Sequence, residues 1–368
     1  MEKAYKYRIY PNKTQQELIQ KTFGCSRFVY NYFLDLKIRE YNDNKKSLSY
    51  YDMSKLLTQL KKENEWLKEP DKDSLQKSLK DLDNAYQKFF KEHTGFPKFK
   101  SKKDRHKSYR TSCANNNIRF EDRRIKLPKL GYVKVRDKQI PQGRILNATI
   151  SQEPNGHYYC SLCCTEVVLP QYPKTNKNVG IDLGIIDFAI LSDGIIIDNP
   201  NFYEKSEKKL AKLQRELSRK TIGSSRWDKA RIKVANLQKH ISNQRQDFLH
   251  KLTTTIIRNY DVIVIEDLNV KSLKETDNKL RNKRVSDVSW SEFRRQLTYK
   301  ANWYEKELVV VDRYYPSSQI CNVCGHRDGK KSEDIRIWTC PYCKAELDRD
   351  LNASINILNE GLRILSFK

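Results

Sequence analysis

The sequence predicts an α+β multidomain chain, in which a small antiparallel β domain with a helical insertion precedes an α/β domain interrupted by a four-cysteine module. Three observations lead to this prediction. Apolar residues recur at helical spacing through much of the first hundred residues, short alternating runs follow them, and buried strands then alternate with helices. A length of 368 residues is consistent with two or three domains.

The first part of the chain predicts one strand followed by helices. Residues 3–10 (KAYKYRIY) alternate and end at a Pro–Asn pair, as a strand does. Apolar residues then recur at helical spacing in three stretches: residues 14–40, 49–62 and 73–91. Residues 117–169 show short alternating runs separated by Pro and Gly, which predicts a small antiparallel sheet. We expect the strand at residues 3–10 to join this sheet, so that the helices form an insertion.

The second part of the chain alternates between buried strands and helices. VGIDLGIIDFAILSDGIIIDNP predicts three short strands with tight turns, and DVIVIEDLN and ELVVVDR predict two buried strands. Residues 204–220 and 226–259 have apolar faces that suit an antiparallel helical hairpin. Further helices are expected at residues 289–305 and from about Asn352 onward.

The charge of the chain favours a polyanionic partner. Lys and Arg number 71 against 46 Asp and Glu, a formal net charge of +25, and aromatic residues are interleaved with the lysines. This mixture suits nucleic acid, whose bases stack and whose phosphates attract cations. No apolar run is long enough to span a membrane, and the first residues lack a signal-peptide core. We therefore expect a cytoplasmic protein with no membrane partner.

One loop concentrates this character. Residues 95–110 (GFPKFKSKKDRHKSYR) contain seven Lys or Arg and one acidic residue, together with two Phe and one Tyr. The cations that we select as candidate nucleic-acid contacts are Lys98, Lys100, Lys102, Lys103 and Arg110. The alternative is a solvated linker without a ligand.

Four cysteines have the spacing of a zinc site. Two CxxC pairs are separated by fifteen residues, and the cysteines are Cys321, Cys324, Cys340 and Cys343. Four thiolates fill a tetrahedral coordination sphere, so one structural Zn²⁺ is predicted. His326 is then redundant, and the alternative is four unrelated core cysteines. The remaining five cysteines, including the CxxC of Cys160 and Cys163, are interpreted as small buried residues.

Three acidic residues are candidates for a second metal site. Asp182 interrupts an apolar strand, Glu266 ends another strand, and Asp350 precedes the last helix. Asp350 has an alternative role as an N-cap, and Glu266 and Asp267 have one as solvated strand ends, whereas a buried Asp182 needs a partner for its charge. Carboxylates that hold two Mg²⁺ or Mn²⁺ ions can hydrolyse a phosphodiester. The order of these elements resembles an RNase H-like nuclease core.

An ordered set of motifs then identifies a family resemblance. The motifs are GIDLGI (180–185), IEDLN (265–269), YPSSQICNVCGH (315–326), CPYC (340–343) and DRDLNASINIL (348–358). Together with the first thirty residues and the run LQKSLKDLDNAYQKFF, they resemble the TnpB family of transposon-encoded RNA-guided nucleases, relatives of the compact type V CRISPR effectors. The resemblance covers nearly the whole chain.

The resemblance implies a domain layout and a set of site residues. It implies a wedge-like β domain (1–10 and 106–172), a helical recognition domain (11–105), a RuvC-like nuclease domain (173–319 and 344–368) and a zinc module (320–343). The implied catalytic and Mg²⁺-binding acids map to Asp182, Glu266 and Asp350. Asn352, two residues after Asp350, selects that acid over Asp348.

The resemblance also implies nucleic-acid partners. These are a guide RNA from the transposon end and a double-stranded DNA target beside a short motif that the protein reads. Helix 73–91 is a candidate reader through Gln76, Lys77 and Lys80, with an exposed polar helix face as the alternative. Arg245 is a candidate phosphate contact, and His250 is expected to be a packed helix residue. A monomer is favoured.

Three other functions remain as alternatives. A transposase acting on transposon ends has a similar active-site sequence. An RNA-guided repressor would lose the acids, all of which are present here. A zinc-dependent transcription factor explains the charge and the cysteines but leaves Asp182 without a role.

Overall fold

The computed structural model describes residues 1–273, 278–332 and 335–367. The chain forms two compact units, Met1–Val168 and Leu169–Lys368. Within the described residues, no helix is long and apolar enough to cross a membrane.

The first unit, which is described throughout, contains a seven-stranded antiparallel sheet. Its strands in chain order are β1 (Lys3–Tyr10), β2 (Lys107–Ser112), β3 (Arg119–Glu121), β4 (Arg124–Leu127), β5 (Gly131–Val135), β6 (Arg144–Gln152) and β7 (Tyr158–Thr165). Their order across the sheet is β2-β6-β7-β1-β5-β4-β3. β1 therefore lies inside the sheet between β7 and β5, although it is first in the chain. Its alternating residues Tyr5, Tyr7 and Ile9 are buried, as the sequence pattern predicts.

Three helices connect β1 to β2. They are α1 (Lys13–Asn44), α2 (Tyr50–Glu63) and α3 (Lys72–Glu92), with a 3₁₀ turn before α3. Asn12 and Gln15 form a capping box that starts α1. Apolar faces of the three helices meet in one core around Phe33, Leu57 and Leu79. α1 and α3 extend beyond the predicted stretches at both ends, whereas α2 begins one residue later than predicted because Ser49 is its N-cap.

The second unit is built on a five-stranded mixed sheet. Its strands are β8 (Asn178–Leu183), β9 (Asp187–Leu191), β10 (Ile196–Asp198), β11 (Val262–Glu266) and β12 (Glu307–Val311). Across the sheet they follow the order β10-β9-β8-β11-β12. β11 is parallel to both β8 and β12, while β8, β9 and β10 form antiparallel hairpins. A separate two-stranded sheet consists of β13 (Ile337–Thr339) and β14 (Glu346–Asp348).

Helices cover this sheet and extend from it. They are α4 (Phe202–Ser218), α5 (Ser225–Asn259), α6 (Val270–Leu273), α7 (Lys279–Val288), α8 (Trp290–Trp303) and α9 (Arg349–Ser366). Leu210 of α4 packs with Val234 and Ile241 of α5, so the two helices form the predicted hairpin.

The start of the last helix differs from the prediction. α9 begins at Arg349, three residues before the expected start near Asn352. The cause is Asp348, whose side chain accepts hydrogen bonds from the backbone N–H groups of Asp350 and Leu351 at 3.0 and 2.8 Å. Asp348 is therefore the N-cap, which excludes the alternative role of Asp350 as the cap of this helix.

Two glycines allow α9 to pack closely on the sheet. A Cβ added to Gly180 of β8 would overlap the Ser354 carbonyl oxygen and lie 2.6 Å from the Leu358 backbone nitrogen. A Cβ at Gly361 of α9 would overlap the side chain of Val264 in β11. The middle turns of α9 are thereby held against the strands that carry Asp182 and Glu266.

Replacement of Gly180 by alanine is expected to lower the free energy of unfolding by about 1–3 kcal/mol or more, because α9 has to move away from β8. Urea denaturation of the full chain measures this loss. Gly24→Ala is the control, since Gly24 lies in α1 with nothing within 4 Å of the added atom. Alanine there should be neutral or stabilising. Equal stability of the two variants would contradict the close approach of α9.

Candidate functional site

Two of the three predicted acids are neighbours on parallel strands. The register of β8 and β11 pairs Ile181 with Ile265, so the next residues, Asp182 and Glu266, lie side by side. Their carboxyl groups share a hydrogen bond, and the Leu183 backbone N–H donates to Glu266. Both side chains emerge at the carboxyl ends of their strands, the edge where open α/β sheets place their ligands.

Burial shapes the electrostatics of this pair. Burial, followed by the nearby charges of Glu266 and Asp350, raises the pKa of Asp182 well above its ordinary value. Burial also raises the pKa of Glu266. Two carboxylates this close cannot both ionise cheaply in a low-dielectric site, so they share a proton when no cation is bound. A divalent cation in that position would displace the proton and pair with both charges.

Asp350 reaches the same site from α9. It lines a cavity of about 290 Å³ together with Asp182, and its charge acts on the Asp182 carboxyl. Its own carboxylate accepts a hydrogen bond from the Arg336 guanidinium at 2.5 Å. The structure thus brings the three acids to one site. Asp182 and Glu266 are hydrogen-bonded to each other, whereas Asp350 forms an ion pair with Arg336.

Three arginines of this cavity were not selected from the sequence. Arg281, Arg336 and Arg349 line it beside the acids. Arg349 had a visible signal, because it stands between the two aspartates of the DRD motif. Arg336 had none, because it lies fourteen residues from Asp350 and reaches it only through the fold. Cations beside paired carboxylates suit a substrate that carries phosphate.

Asp267 and His250, two other residues of this unit that the sequence analysis considered, lie outside the group of three acids. Asp267, next to Glu266, pairs with Arg294 and at 2.6 Å with Arg313. His250 lies on α5 and is exposed, so the expectation of a packed histidine is wrong.

The four predicted zinc ligands converge. Their ligand atoms all lie within 4.8 Å of one another. Among the described residues, no other group of three or more His, Cys, Asp or Glu side chains is clustered this closely. The sulfur–sulfur distances Cys321–Cys343 and Cys324–Cys340 are both 3.7 Å. A tetrahedron of Zn–S bonds of about 2.3 Å has edges of about 3.8 Å, so the thiols fit this ion. His326 stacks on Tyr342 outside this set.

Two buried asparagines tie the first cysteine loop to α9. The Asn352 amide donates to the Ile320 carbonyl at 2.8 Å and accepts the Asn322 backbone N–H at 2.9 Å. The Asn356 amide donates to the carbonyls of Ser317 and Ile320. The backbone around Cys321 is therefore fixed to the helix that carries Asp350.

Replacement of Asn352 by alanine is expected to destabilise the chain by about 2–3 kcal/mol, because it removes both hydrogen bonds of a buried amide and leaves the Asn322 N–H without its partner. Thermal or urea unfolding measures the loss. Asn359→Ala on the exposed face of the same helix is the matched control and should change stability by under about 0.5 kcal/mol. If both variants lose the same stability, the asparagine does not join the loop to the helix.

The structure places the candidate motif readers on different faces of α3. Gln76 accepts hydrogen bonds from the Tyr50 hydroxyl at 3.3 Å and the Ser54 hydroxyl at 3.1 Å, both on α2. Lys80 pairs with Asp83 at 2.9 Å. Lys77 does not join this group and lines a separate cavity.

The other candidate nucleic-acid contacts are partly engaged by the protein. The basic loop exposes Lys98, Lys102 and Lys103. The Lys100 backbone exchanges two hydrogen bonds with the Asn31 amide. Arg110 pairs with Asp81 at 2.8 Å.

Arg245 contacts a buried acid. Its guanidinium pairs with Asp287 at 2.5 Å, and Asp287 also accepts the Tyr203 backbone N–H at 2.9 Å. A phosphate contact by Arg245 stays a prediction.

A basic chain that combines half-buried paired carboxylates, arginines and a four-cysteine cluster in one α/β unit has the features of proteins that act on polyanions. Family models refine this class. Residues 160–277 match a model described as a probable transposase (OrfB_IS605), residues 290–357 match a Cas12f1-like TNB domain, and residues 1–46 match a helix-turn-helix domain of OrfB proteins.

Known proteins resemble the chain over its full length. A putative RNA-guided DNA endonuclease of Streptomyces pristinaespiralis is 38% identical over 369 residues, which cover 98% of this chain and 90% of the relative. InsQ of Escherichia coli K12, also a putative RNA-guided DNA endonuclease, is 34% identical over 99% of this chain and 93% of its own. The chain belongs to the TnpB family. A solved Cas12f1–sgRNA–target DNA complex contains a chain that is 14% identical, with coverage of 98% and 99% and a TM-score of 0.37.

Proposed function

We propose that this chain is an RNA-guided DNA endonuclease with a RuvC-type, RNase H-like active site. Two relatives above 30% identity that match nearly the whole chain are named as putative RNA-guided DNA endonucleases. The observation that carries the active-site assignment is the hydrogen-bonded Asp182–Glu266 pair on adjacent parallel strands, with Asp350 on the same cavity.

The three acids are proposed to hold two Mg²⁺ or Mn²⁺ ions. Their hard oxygen atoms suit these cations, and the raised pKa values of Asp182 and Glu266 indicate that this pair needs a nearby positive charge to ionise. When bound, two such ions would activate a water molecule and stabilise the leaving oxygen of the phosphodiester. Asp182 and Glu266 fix the geometry because they project from neighbouring strands, and the close packing of α9 fixes Asp350.

The arginines of the cavity have a proposed role toward the DNA backbone. Arg336 and Arg349 lie on the same cavity as Asp182 and Asp350, where a bound strand has to place a phosphate. The Arg336 guanidinium is paired with Asp350 in the absence of substrate. When substrate binds, a phosphate would pair with Arg336 and a divalent cation would pair with Asp350, so the ion pair between these two residues would open.

The zinc module is proposed to act through the fold. One Zn²⁺ held by four thiolates has no open position for substrate. It stabilises the loop around Cys321, to which Asn352 and Asn356 fix the start of α9. Asp350 is thus positioned partly by a metal that does not contact the DNA.

The first unit is proposed to hold the nucleic acids. Its sheet forms the wedge-like domain (1–10 and 106–172) apart from residues 169–172, which belong to the second unit, and α1–α3 form the recognition domain (11–105). In the second unit, residues 173–319 with 344–368 form the nuclease domain, and residues 320–343 form the zinc module. The partners are a guide RNA from the transposon end and double-stranded target DNA, and the chain acts as a monomer inside the cell. Gln76, Lys80 and the exposed lysines of the basic loop are the proposed contacts.

A transposase is the second candidate, because the family model over residues 160–277 is described as a probable transposase. Such an enzyme joins or cuts transposon ends without a replaceable guide. The two functions therefore differ in what sets the cutting site.

Exchange of the guide segment separates these functions. The full chain is co-expressed with its flanking transposon-end RNA carrying one of two guide segments, purified, and mixed with Mg²⁺ and each of two plasmids. The proposed function predicts cleavage only of the plasmid that matches the guide, with the cut position moving when the guide changes. Cutting at transposon ends with either guide would favour the transposase, and binding to the matched plasmid without cutting would favour a repressor.

A further inference from the structure

A second cavity lies entirely within the first unit, on a face of α3 that the Gln76 contacts do not use. Its volume is about 370 Å³. α1 contributes Ser26 and Arg27, α3 contributes Ser74, Lys77 and Ser78, and β2 and the preceding loop close the other side. The α3 residues follow the spacing i, i+3, i+4, which places them on one face of the helix.

The lining of this cavity is positively charged. Its cationic side chains are Arg27, Lys77, Lys100, Lys107 and Arg110. Its two carboxylates are already engaged. Asp81 pairs with Arg110 at 2.8 Å, and Asp104 accepts the His106 backbone N–H at 3.0 Å.

Four of the five cations, all but Arg110, have no ionic partner within the described residues. Of these four, Lys100 lies over the Tyr30 ring and Lys107 donates to the Gln20 side-chain oxygen. Within the residues that the structure describes, Arg27 and Lys77 form no ion pair, and both are half-buried. A half-buried cation facing a concave surface is a ready site for a ligand of opposite charge.

A buried hydroxyl at this cavity lacks a partner. Ser26 is 5% exposed, and its Oγ makes no hydrogen bond in the described structure. Its neighbours on α3 are satisfied, since Ser74 donates to the Asp71 carbonyl at 2.6 Å and Ser78 donates to the Ser74 carbonyl at 3.2 Å. Leaving a buried hydroxyl without a partner is costly, and such groups often mark a place where a ligand supplies the missing bond.

We propose that this cavity binds a backbone phosphate of nucleic acid. The Arg27 and Lys77 side chains supply the charge, and the Ser26 hydroxyl donates the hydrogen bond that the protein leaves unmade. Lys77 is then a phosphate contact and not a partner of Gln76 in reading bases. The source of the phosphate, guide RNA or target DNA, rests on the proposed function.

Binding measurements test this proposal without requiring cleavage. The full-length chain is titrated in EDTA with two probes: the transposon-end RNA, and a guide-matched DNA duplex added to the RNA–protein complex. The variants are Ser26→Ala and the double variant Arg27→Gln/Lys77→Gln. Lys62→Gln/Lys138→Gln removes the same charge from exposed positions outside the cavity and is the matched control.

The double variant is expected to bind at least about tenfold more weakly than the charge-matched control. The slope of the logarithm of the binding constant against the logarithm of the salt concentration should become shallower by about 1 to 2. Ser26→Ala is expected to weaken binding several-fold while the chain stays as stable as the wild type or becomes more stable, because an unsatisfied hydroxyl is removed. A loss with the RNA probe identifies guide RNA as the source, and a loss confined to the duplex identifies target DNA.

Two results would overturn the proposal. Equal affinities of the double variant and its control would show that Arg27 and Lys77 contribute no more to binding than other surface cations do. A weakened double variant with an unchanged Ser26→Ala would show that the cavity itself binds nothing. If the transposon-end RNA fails to bind the wild type, the proposed function fails, and short unrelated RNA and DNA strands still report on the phosphate site.

Discussion

Replacement of Asp182 by asparagine is expected to lower the rate of guide-directed DNA cleavage by about a thousandfold or more, which is about 4 kcal/mol of transition-state stabilisation. The amide cannot take the negative charge that holds a divalent cation. Binding of RNA and matched DNA should stay within about twofold of the wild type, because Asp182 is half-buried at the sheet edge and is not among the proposed nucleic-acid contacts of the first unit. Single-turnover cleavage and a filter-binding assay measure the two effects.

A second readout of this variant is stability as a function of pH. Since the folded-state pKa of Asp182 is raised, its contribution in metal-free wild type is present below the ordinary carboxyl pKa and is lost as pH rises toward the folded value. The variant lacks this loss, so in EDTA its stability relative to the wild type should rise over that pH range. Asp198→Asn, the same change at an exposed position of β10, is the control and should leave cleavage unchanged. Cleavage by Asp182→Asn at the wild-type rate would show that Asp182 is not a catalytic acid.

Replacement of Cys340 by serine is expected to remove the bound zinc and most of the cleavage activity together. Cys340 is fully buried in the four-thiol cluster, and a structural zinc site contributes several kcal/mol to folding. Without it the loop around Cys321 loses its anchor, and the hydrogen bonds from Asn352 and Asn356 no longer position Asp350. Elemental analysis should find one zinc per wild-type chain and well under one in the variant.

Cys163→Ser distinguishes zinc loss from general damage. Cys163 also belongs to a CxxC pair, but it lies in β7 of the other unit and outside the four-thiol cluster. This variant should keep one zinc per chain and near-normal cleavage. Zinc retention by Cys340→Ser, or normal cleavage by a zinc-free chain, would contradict the link from the cysteine loop to Asp350.

The sequence predicts most of this site because its chemistry interrupts simple patterns. Asp182 stands out as a charge inside an apolar strand, and the cysteine spacing specifies a tetrahedral site. β11 and β8 were expected as buried strands, and their parallel register is what places Glu266 beside Asp182. Local pattern and tertiary position agree at these residues.

The remaining features depend on contacts that no local pattern encodes. The pairing of Arg336 with Asp350 and the close approach of Ser354 to Gly180 join residues distant in sequence. The sequence leaves the N-cap open because two aspartates two residues apart both suit a helix start, and only the backbone shows that Asp348 accepts the N–H groups. The cavity at Ser26 is likewise invisible in sequence, since a serine in an amphipathic helix usually satisfies its hydroxyl locally.

The most direct test of the two-metal assignment is cleavage of a phosphorothioate substrate. After the guide-directed cut is mapped, a non-bridging oxygen of that phosphate is replaced by sulfur, and each diastereomer is cleaved by the guide-loaded wild type in Mg²⁺ and then in Mn²⁺. Hard Mg²⁺ binds sulfur poorly and softer Mn²⁺ tolerates it, so one diastereomer should be cleaved at least about tenfold more slowly in Mg²⁺ and recover in Mn²⁺. Equal cleavage of both diastereomers in Mg²⁺, at the rate of the unmodified DNA, would contradict the assignment of Asp182, Glu266 and Asp350 as metal-holding catalytic acids.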